Sequence, residues 1–394
     1  MRSFQVKCKH FIFIKFKSII LMCTCALCLQ VHAADSVVVS RLLHRILSLS
    51  AVSKQNDHAG LLPSFINDVP RYSEHKKDYT IFYNLITAQI LQQYRYRLSA
   101  SNQQTLDSFI HRTKNCLPYF QHASGRPTWN FWATDTSFNF PYSWWIPALR
   151  GNITLPDDMD DTVMAIPLLS KDDSIANEVH ELMQQYINRK KLYTTSAAYH
   201  NFNAYSAWFG KKIPVVFDVS VLCNILQFVH QYQLPMRAAD SASLQLIIQT
   251  IQRKDFLRRP AFISPYYPQS AIIIYHYSKL LQFNSYKEME PFRKLLIETA
   301  VELFNHTNNK FEQLILSNAI LKMGGESPIG YSFSEAVIKE IEINDFSFFT
   351  GNIPSYFQHT IKSLSNGLRL LQYRHYCPAW NDALIIENIL LQYN

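Results

Sequence analysis

Four aspartates fall within five residues in the stretch Leu155-Pro156-Asp157-Asp158-Met159-Asp160-Asp161-Thr162-Val163-Met164-Ala165. The apolar spacing after them predicts a helix over 158–169, which places the acids at its start. Pro156 suits the first helical position, and an acid in the first turn offsets the helix dipole by about 0.3–1 kcal/mol. One or two carboxylates would serve that purpose. Four repel one another, and where water is scarce the repulsion raises the pKa of at least one. A carboxylic acid kept protonated by its neighbours is what general acid catalysis needs.

Just upstream lie Trp129, Phe131, Trp132, Phe138, Phe140, Tyr142, Trp144 and Trp145, so four of the 6 tryptophans crowd into one window. Three uses compete for them. Aromatic rings fill cores, their faces stabilise cations, and they stack on sugars. Trp129, Trp132, Trp144 and Trp145 are the candidate substrate-binding residues, and proximity in sequence to Asp158 suggests one shared cavity.

The segment Asp158-Met159-Asp160-Asp161-Thr162-Val163-Met164-Ala165 resembles the DxDD segment, followed by Thr and Ala, of class II terpenoid cyclases. The resemblance implies an α/α toroid, the fold that superfamily shares with protein prenyltransferase β-subunits. It implies that Asp160 protonates an alkene or epoxide, that Asp158 and Asp161 tune it, and that no cofactor takes part. Val216-Phe217-Asp218-Val219-Ser220 through Asn224 is similar to helix starts in toroid proteins, and Trp380-Asn381-Asp382-Ala383 resembles a closing helix of such rings. The chain departs from the pattern in having room for about one toroid and no Gln-Trp repeats. Asp157, Asp158 and Asp161 also fit a DDxxD pattern that chelates Mg²⁺ in class I synthases. Asn381-Asp382 lacks the Ser/Thr and Glu of that class's second metal motif, so the proton-donor reading is preferred and no metal is expected.

These residues need a scaffold. Helical periodicity recurs near 39–47, 81–91, 106–117, 158–169, 173–191, 221–229, 239–253, 268–282, 287–305, 309–323, 357–372 and 379–392. Asp218 suits the cap of the helix that begins there. Residues 53–77 read as polar and irregular, and 331–350 fit either a helix or a short strand pair. With only 9 glycines in 394 residues, a turn-rich β fold is disfavoured. About eleven helices joined by short loops pack as antiparallel hairpins. The expected fold is all-α, a single α/α toroid over residues 34–394.

The formal charge of +8 misleads. Residues 1–33 carry Arg2, Lys7, Lys9, Lys15 and Lys17 and no acid, then an apolar run, then Val31-His32-Ala33. That reads as a secretory signal with cleavage after Ala33, the alternative being a membrane anchor, for which the apolar run is short. Without those five bases, 33 basic residues face 30 acidic ones, a charge of +3 that gives no footprint for nucleic acid. The expected protein is exported, periplasmic or secreted. Its expected ligand is a hydrophobic or glycan small molecule, and peripheral membrane contact is open. Three functions stand: an isoprenoid-type cyclase or lyase, a glycan-active toroid enzyme with two carboxylates across a groove, and a binding protein without chemistry.

Overall fold

The computed structural model describes residues 36–51, 59–67, 75–134, 155–170, 173–190, 192–210, 214–343, 346–356, 358–365 and 371–392. The chain is mostly helical, with fifteen α-helices among the described residues. Two of them are single four-residue turns, Asp255–Arg258 and Pro260–Ile263. The longer ones are α1 (36–49), α2 (Phe82–Gln93), α3 (Ala100–Phe120), α4 (Met159–Leu169), α5 (Asp173–Met183), α6 (Val219–Gln231) and α7 (Ala238–Gln252). They continue as α8 (Ser270–Gln282), α9 (Arg293–His306), α10 (Lys310–Lys322), α11 (Glu335–Glu342), α12 (His359–Ser365) and α13 (Pro378–Gln392). No helix among the described residues is long and apolar enough to cross a membrane.

The helices differ in how many faces they bury, and sequence explains the difference. In α8 every residue from Ala271 to Leu281 is buried, and α13 buries Ala379 to Leu391 apart from Asn381. A helix that is apolar all round belongs in an interior. By contrast α5 buries only Ala176, Val179, His180 and Met183, one stripe at helical spacing, and α11 buries only Ile338 and Ile341. The more buried helices contact one another in a cycle: α2 with α4, α4 with α6, α6 with α8, α8 with α10, α10 with α13, and α13 with α2 again. The one-faced helices lie against that set: α3 on α2, α5 on α4, α7 on α6, α9 on α8 and α10, α11 on α10 and α13.

The mostly helical chain is consistent with the all-α expectation, and it also carries a small sheet. Four short strands, β1 (Ser64–Asn67), β2 (His75–Asp78), β3 (Phe349–Asn352) and β4 (Gln372–Tyr376), form an antiparallel sheet in the order β2-β1-β4-β3. Phe65 pairs with Lys77 on one side and Tyr376 on the other, and Phe349 pairs with His375. Strands of four or five residues show too little alternation to be read from sequence. His75-Lys76-Lys77-Asp78 has no β-branched residue at all, so its extended form comes from pairing rather than propensity. Of the helix expected over 357–372, the described residues show His359–Ser365, and β4 begins at Gln372. The expected helix over 173–191 likewise stops at Met183, and Ile187 instead bridges to Tyr205. The ambiguous stretch 331–350 holds both α11 and the start of β3.

The sheet is anchored to the aromatic window. Asp78 at the end of β2 accepts from Trp132 Nε1 at 3.0 Å and lies 2.9 Å from His375 Nδ1 on β4. Cys116, Cys223 and Cys377 are buried and form no disulfide.

Candidate active site

Asp158 adopts an extended conformation and caps α4, accepting from the Asp160 N–H at 2.6 Å. Its backbone ties the helix entrance to the aromatic window. The Asp158 N–H donates to Trp129 O at 2.8 Å, and the Trp129 N–H donates to Thr162 Oγ1 at 3.0 Å. The Thr162 hydroxyl returns to Asp158 O at 2.6 Å. The chain thus brings Trp129 and the acids together. Of the four candidate tryptophans, Trp129 and Trp132 are buried with their N–H groups bonded, Trp129 to Leu117 O at 3.2 Å and Trp132 to Asp78. Trp144 and Trp145 lie outside the described residues.

The four aspartates have four different surroundings. Asp157 turns to Arg126, 2.6 Å away, and accepts from Thr128. Asp160 accepts from Asn224 Nδ2 at 2.7 Å on one oxygen and from the Tyr267 hydroxyl on the other. Asn224 is in turn held by Lys279 Nζ at 2.8 Å. Asp161 is fully buried, and neither of its oxygens has a hydrogen-bond partner among the described residues.

These surroundings set the electrostatics. Burial raises Asp161 well above the usual carboxylate range, and the charges of Asp158 and Asp160 push it further. Asp158 is raised well above it too, by burial and then by Asp160, against the pull of backbone N–H groups. Asp160 is also raised by burial, but its bonds from Tyr267 and Asn224 and the charge of Lys279 oppose the rise. Lys279 itself is pushed down to about 8 by burial, reinforced by the nearby charge of Lys322. These three acids therefore bind a proton more tightly than free carboxylates, and they bind it jointly. Asp157, paired with Arg126, is not in position to share a metal with Asp158 and Asp161. Among the described residues no three His, Cys, Asp or Glu side chains are placed to hold a metal ion.

Aromatic rings surround the Asp160 partner. The Tyr267 ring lies 4.7 Å from His276, 5.5 Å from Phe349, 5.8 Å from Phe348 and 6.2 Å from Phe82. Phe131 stacks on Phe349 at 5.0 Å. Beside them a cavity of about 20 Å³ is lined by residues including Phe131, Trp132, Trp208, Tyr266 and Phe349. That space holds about one water molecule.

Tyr267 and Lys279 carry no signal in the acidic segment itself, because they arrive from more than a hundred residues away. Lys279 had a different signal. It is the one charged residue in an otherwise apolar helix, and a lysine buried there must have a partner. Lys322 in α10 and Glu387 in α13 are also buried charged residues, and they pair with each other. Asn224 lies within the segment singled out for its toroid-like start, whose Asp218 does cap α6.

No family model matches this chain, and no curated protein matches it.

Proposed function

We propose that the buried helices close into an α/α toroid, and that this is an exported isoprenoid-type cyclase or lyase whose acid cluster donates a proton from Asp160. The cycle of packing that returns from α13 to α2 supports the toroid, and so does the alternation of all-round buried and one-faced helices along the chain. The basic and apolar segment over residues 1–33 supports export.

One observation carries the chemical part: Asp161 is buried beside Asp158 and Asp160 with both oxygens unpartnered among the described residues. A lone charge there is too costly, so the cluster keeps a proton at neutral pH. Asp160 is the member in contact with Tyr267 and its aromatic neighbours, so the proton leaves from Asp160. Its O–H bond breaks as a new C–H bond forms with the π electrons of an alkene. The resulting carbocation is met by ring faces, and it ends when a neighbouring C–H bond breaks, its electrons forming the new C=C bond and its proton returning to the Asp160 carboxylate. The DxDD resemblance assigns the same three residues the same roles. Only about 20 Å³ is free beside the rings, so this reading requires the aromatic lining to open for substrate.

The test uses the chain from residue 34 onward, incubated with squalene and with geranylgeranyl diphosphate, with products read by gas chromatography and mass spectrometry. A cyclised product is expected, reduced about 100-fold or more in Asp160→Asn. Absence of product, or equal product from the variant, removes the proposal. A second reading, a binding protein on the same scaffold, is favoured by one observation: both oxygens of Asp160 already accept hydrogen bonds. It predicts no product from any form.

A further inference from the structure

A second and larger space has none of the four aspartates in its lining. It is a cleft of about 550 Å³ where the last turns of α2, α8 and α10 meet, within the ~300–1,000 Å³ typical of small-molecule sites. We propose that this cleft binds a neutral oligosaccharide, independently of any chemistry at Asp160.

The residue types argue for that ligand. Tyr96 and Phe283 both line the cleft, 71% and 49% exposed, so two aromatic rings stand in solvent beside a polar floor. A sugar ring has an apolar C–H face that covers such a ring and hydroxyl edges that seek planar amides. The amides are present and prearranged. Gln93 Nε2 donates to Gln282 Oε1 at 3.0 Å, and Gln282 Nε2 donates to Tyr94 Oη at 2.8 Å. Gln93 Oε1 accepts no hydrogen bond from any described residue, which leaves an acceptor for a hydroxyl.

Charge in the cleft is already spent. Arg293 forks onto Glu290 with two 2.7 Å bonds, and also caps the carbonyls of Leu281 at 2.8 Å and Met323 at 3.0 Å. Lys322 pairs with buried Glu387 and donates to Tyr94 Oη at 3.0 Å and Gln282 Oε1 at 3.2 Å. Arg97 donates to Leu390 O and to Tyr96 Oη at 2.9 Å, and its guanidinium lies 5.2 Å from the Tyr96 ring centre. That contact holds Tyr96 in place, as a stacking platform requires. With its cations engaged, the site recognises shape and hydroxyl pattern rather than an ion.

Saturation-transfer NMR on the chain from residue 34 onward tests this with maltohexaose, cellohexaose, chitohexaose and xylohexaose, and with hexagalacturonate as a charged control. At least one neutral hexasaccharide is expected to show transfer. In isothermal titration calorimetry, Tyr96→Ala should weaken its binding about tenfold, the equivalent of about 1.4 kcal/mol. The melting temperature should hold, because Tyr96 is exposed. Asp160→Asn should bind as the parent does, which separates this proposal from the cyclase reading. No transfer from any neutral sugar, transfer from hexagalacturonate alone, or binding untouched by Tyr96→Ala overturns the proposal.

Discussion

The entrances of α4 and α6 are neighbours built on one plan, and they differ in the residues just past the cap. Asp158 and Asp218 both take an extended conformation and accept from the N–H two residues on, at 2.6 Å and 2.9 Å. After Asp218, Ser220 and Val221 occupy the places that Asp160 and Asp161 hold after Asp158. Asp218 is fully served: it also accepts from the Val221 N–H at 3.2 Å, the Ser264 hydroxyl at 2.7 Å and the Tyr266 N–H at 2.8 Å. Its pKa is nonetheless pushed up to about 6 by burial. Asp161, in the place of a valine, has no such partner among the described residues. Capping a buried helix therefore needs one aspartate. Of the two further acids at α4, Asp160 is held by Asn224 and Tyr267, whereas Asp161 is buried without a hydrogen-bond partner among the described residues.

Substitution can break this contrast. The largest effect should come from Asp218→Ala, which strands the Ser264 hydroxyl and the Tyr266, Ser220 and Val221 N–H groups. A loss of about 3 kcal/mol is expected in guanidinium unfolding. A loss under about 1 kcal/mol would mean that the α6 cap is not the satisfied one.

Next is Asp161→Asn, with the opposite sign at high pH. An unfolded Asp titrates near 3.9, whereas folded Asp161 titrates well above that. The unfolded state therefore releases its proton first as pH rises, and the parent loses stability between about pH 4 and the raised folded value. Asparagine has no proton to release. The variant should be about 2 kcal/mol more stable than the parent at pH 8, with the gap narrowing towards pH 5. A gap that does not change with pH would show that Asp161 is ionised in the folded chain.

The smallest effect is Tyr267→Phe. It removes one donor to Asp160 while keeping the ring among Phe82, Phe348 and Phe349. About 1 kcal/mol of stability should be lost at pH 8, where the Asp160 anion is poorer by one bond, and less at pH 5. An equal loss at both values would place the hydroxyl outside the titrating cluster.

Local signals were legible where a single helix suffices to explain them. The apolar run after Asp158 pointed to α4, Asp218 marked the cap of α6, and the periodicity near 268–282 and 379–392 matches α8 and α13 closely. The features that stayed hidden depend on distant partners. Strand β2 is lysine-rich and is extended only because β1 pairs with it. The resemblance singled out Asp160, but Tyr267 and Asn224, which donate to its two oxygens, come from distant parts of the chain. That the N–H groups of Trp129 and Trp132 are bonded to Leu117 O and Asp78 is likewise not readable from the sequence.

The three thiols have a practical consequence. Burial pushes Cys116 up to about 11 and Cys377 up to about 12, and raises Cys223 strongly as well. Thiols so protonated react slowly with alkylating reagents until the chain opens. No disulfide joins these three, so refolding of the chain from residue 34 onward should proceed alike with and without dithiothreitol. The cysteines then serve as built-in timers: the rate of maleimide uptake at each one reports how often its part of the molecule comes apart.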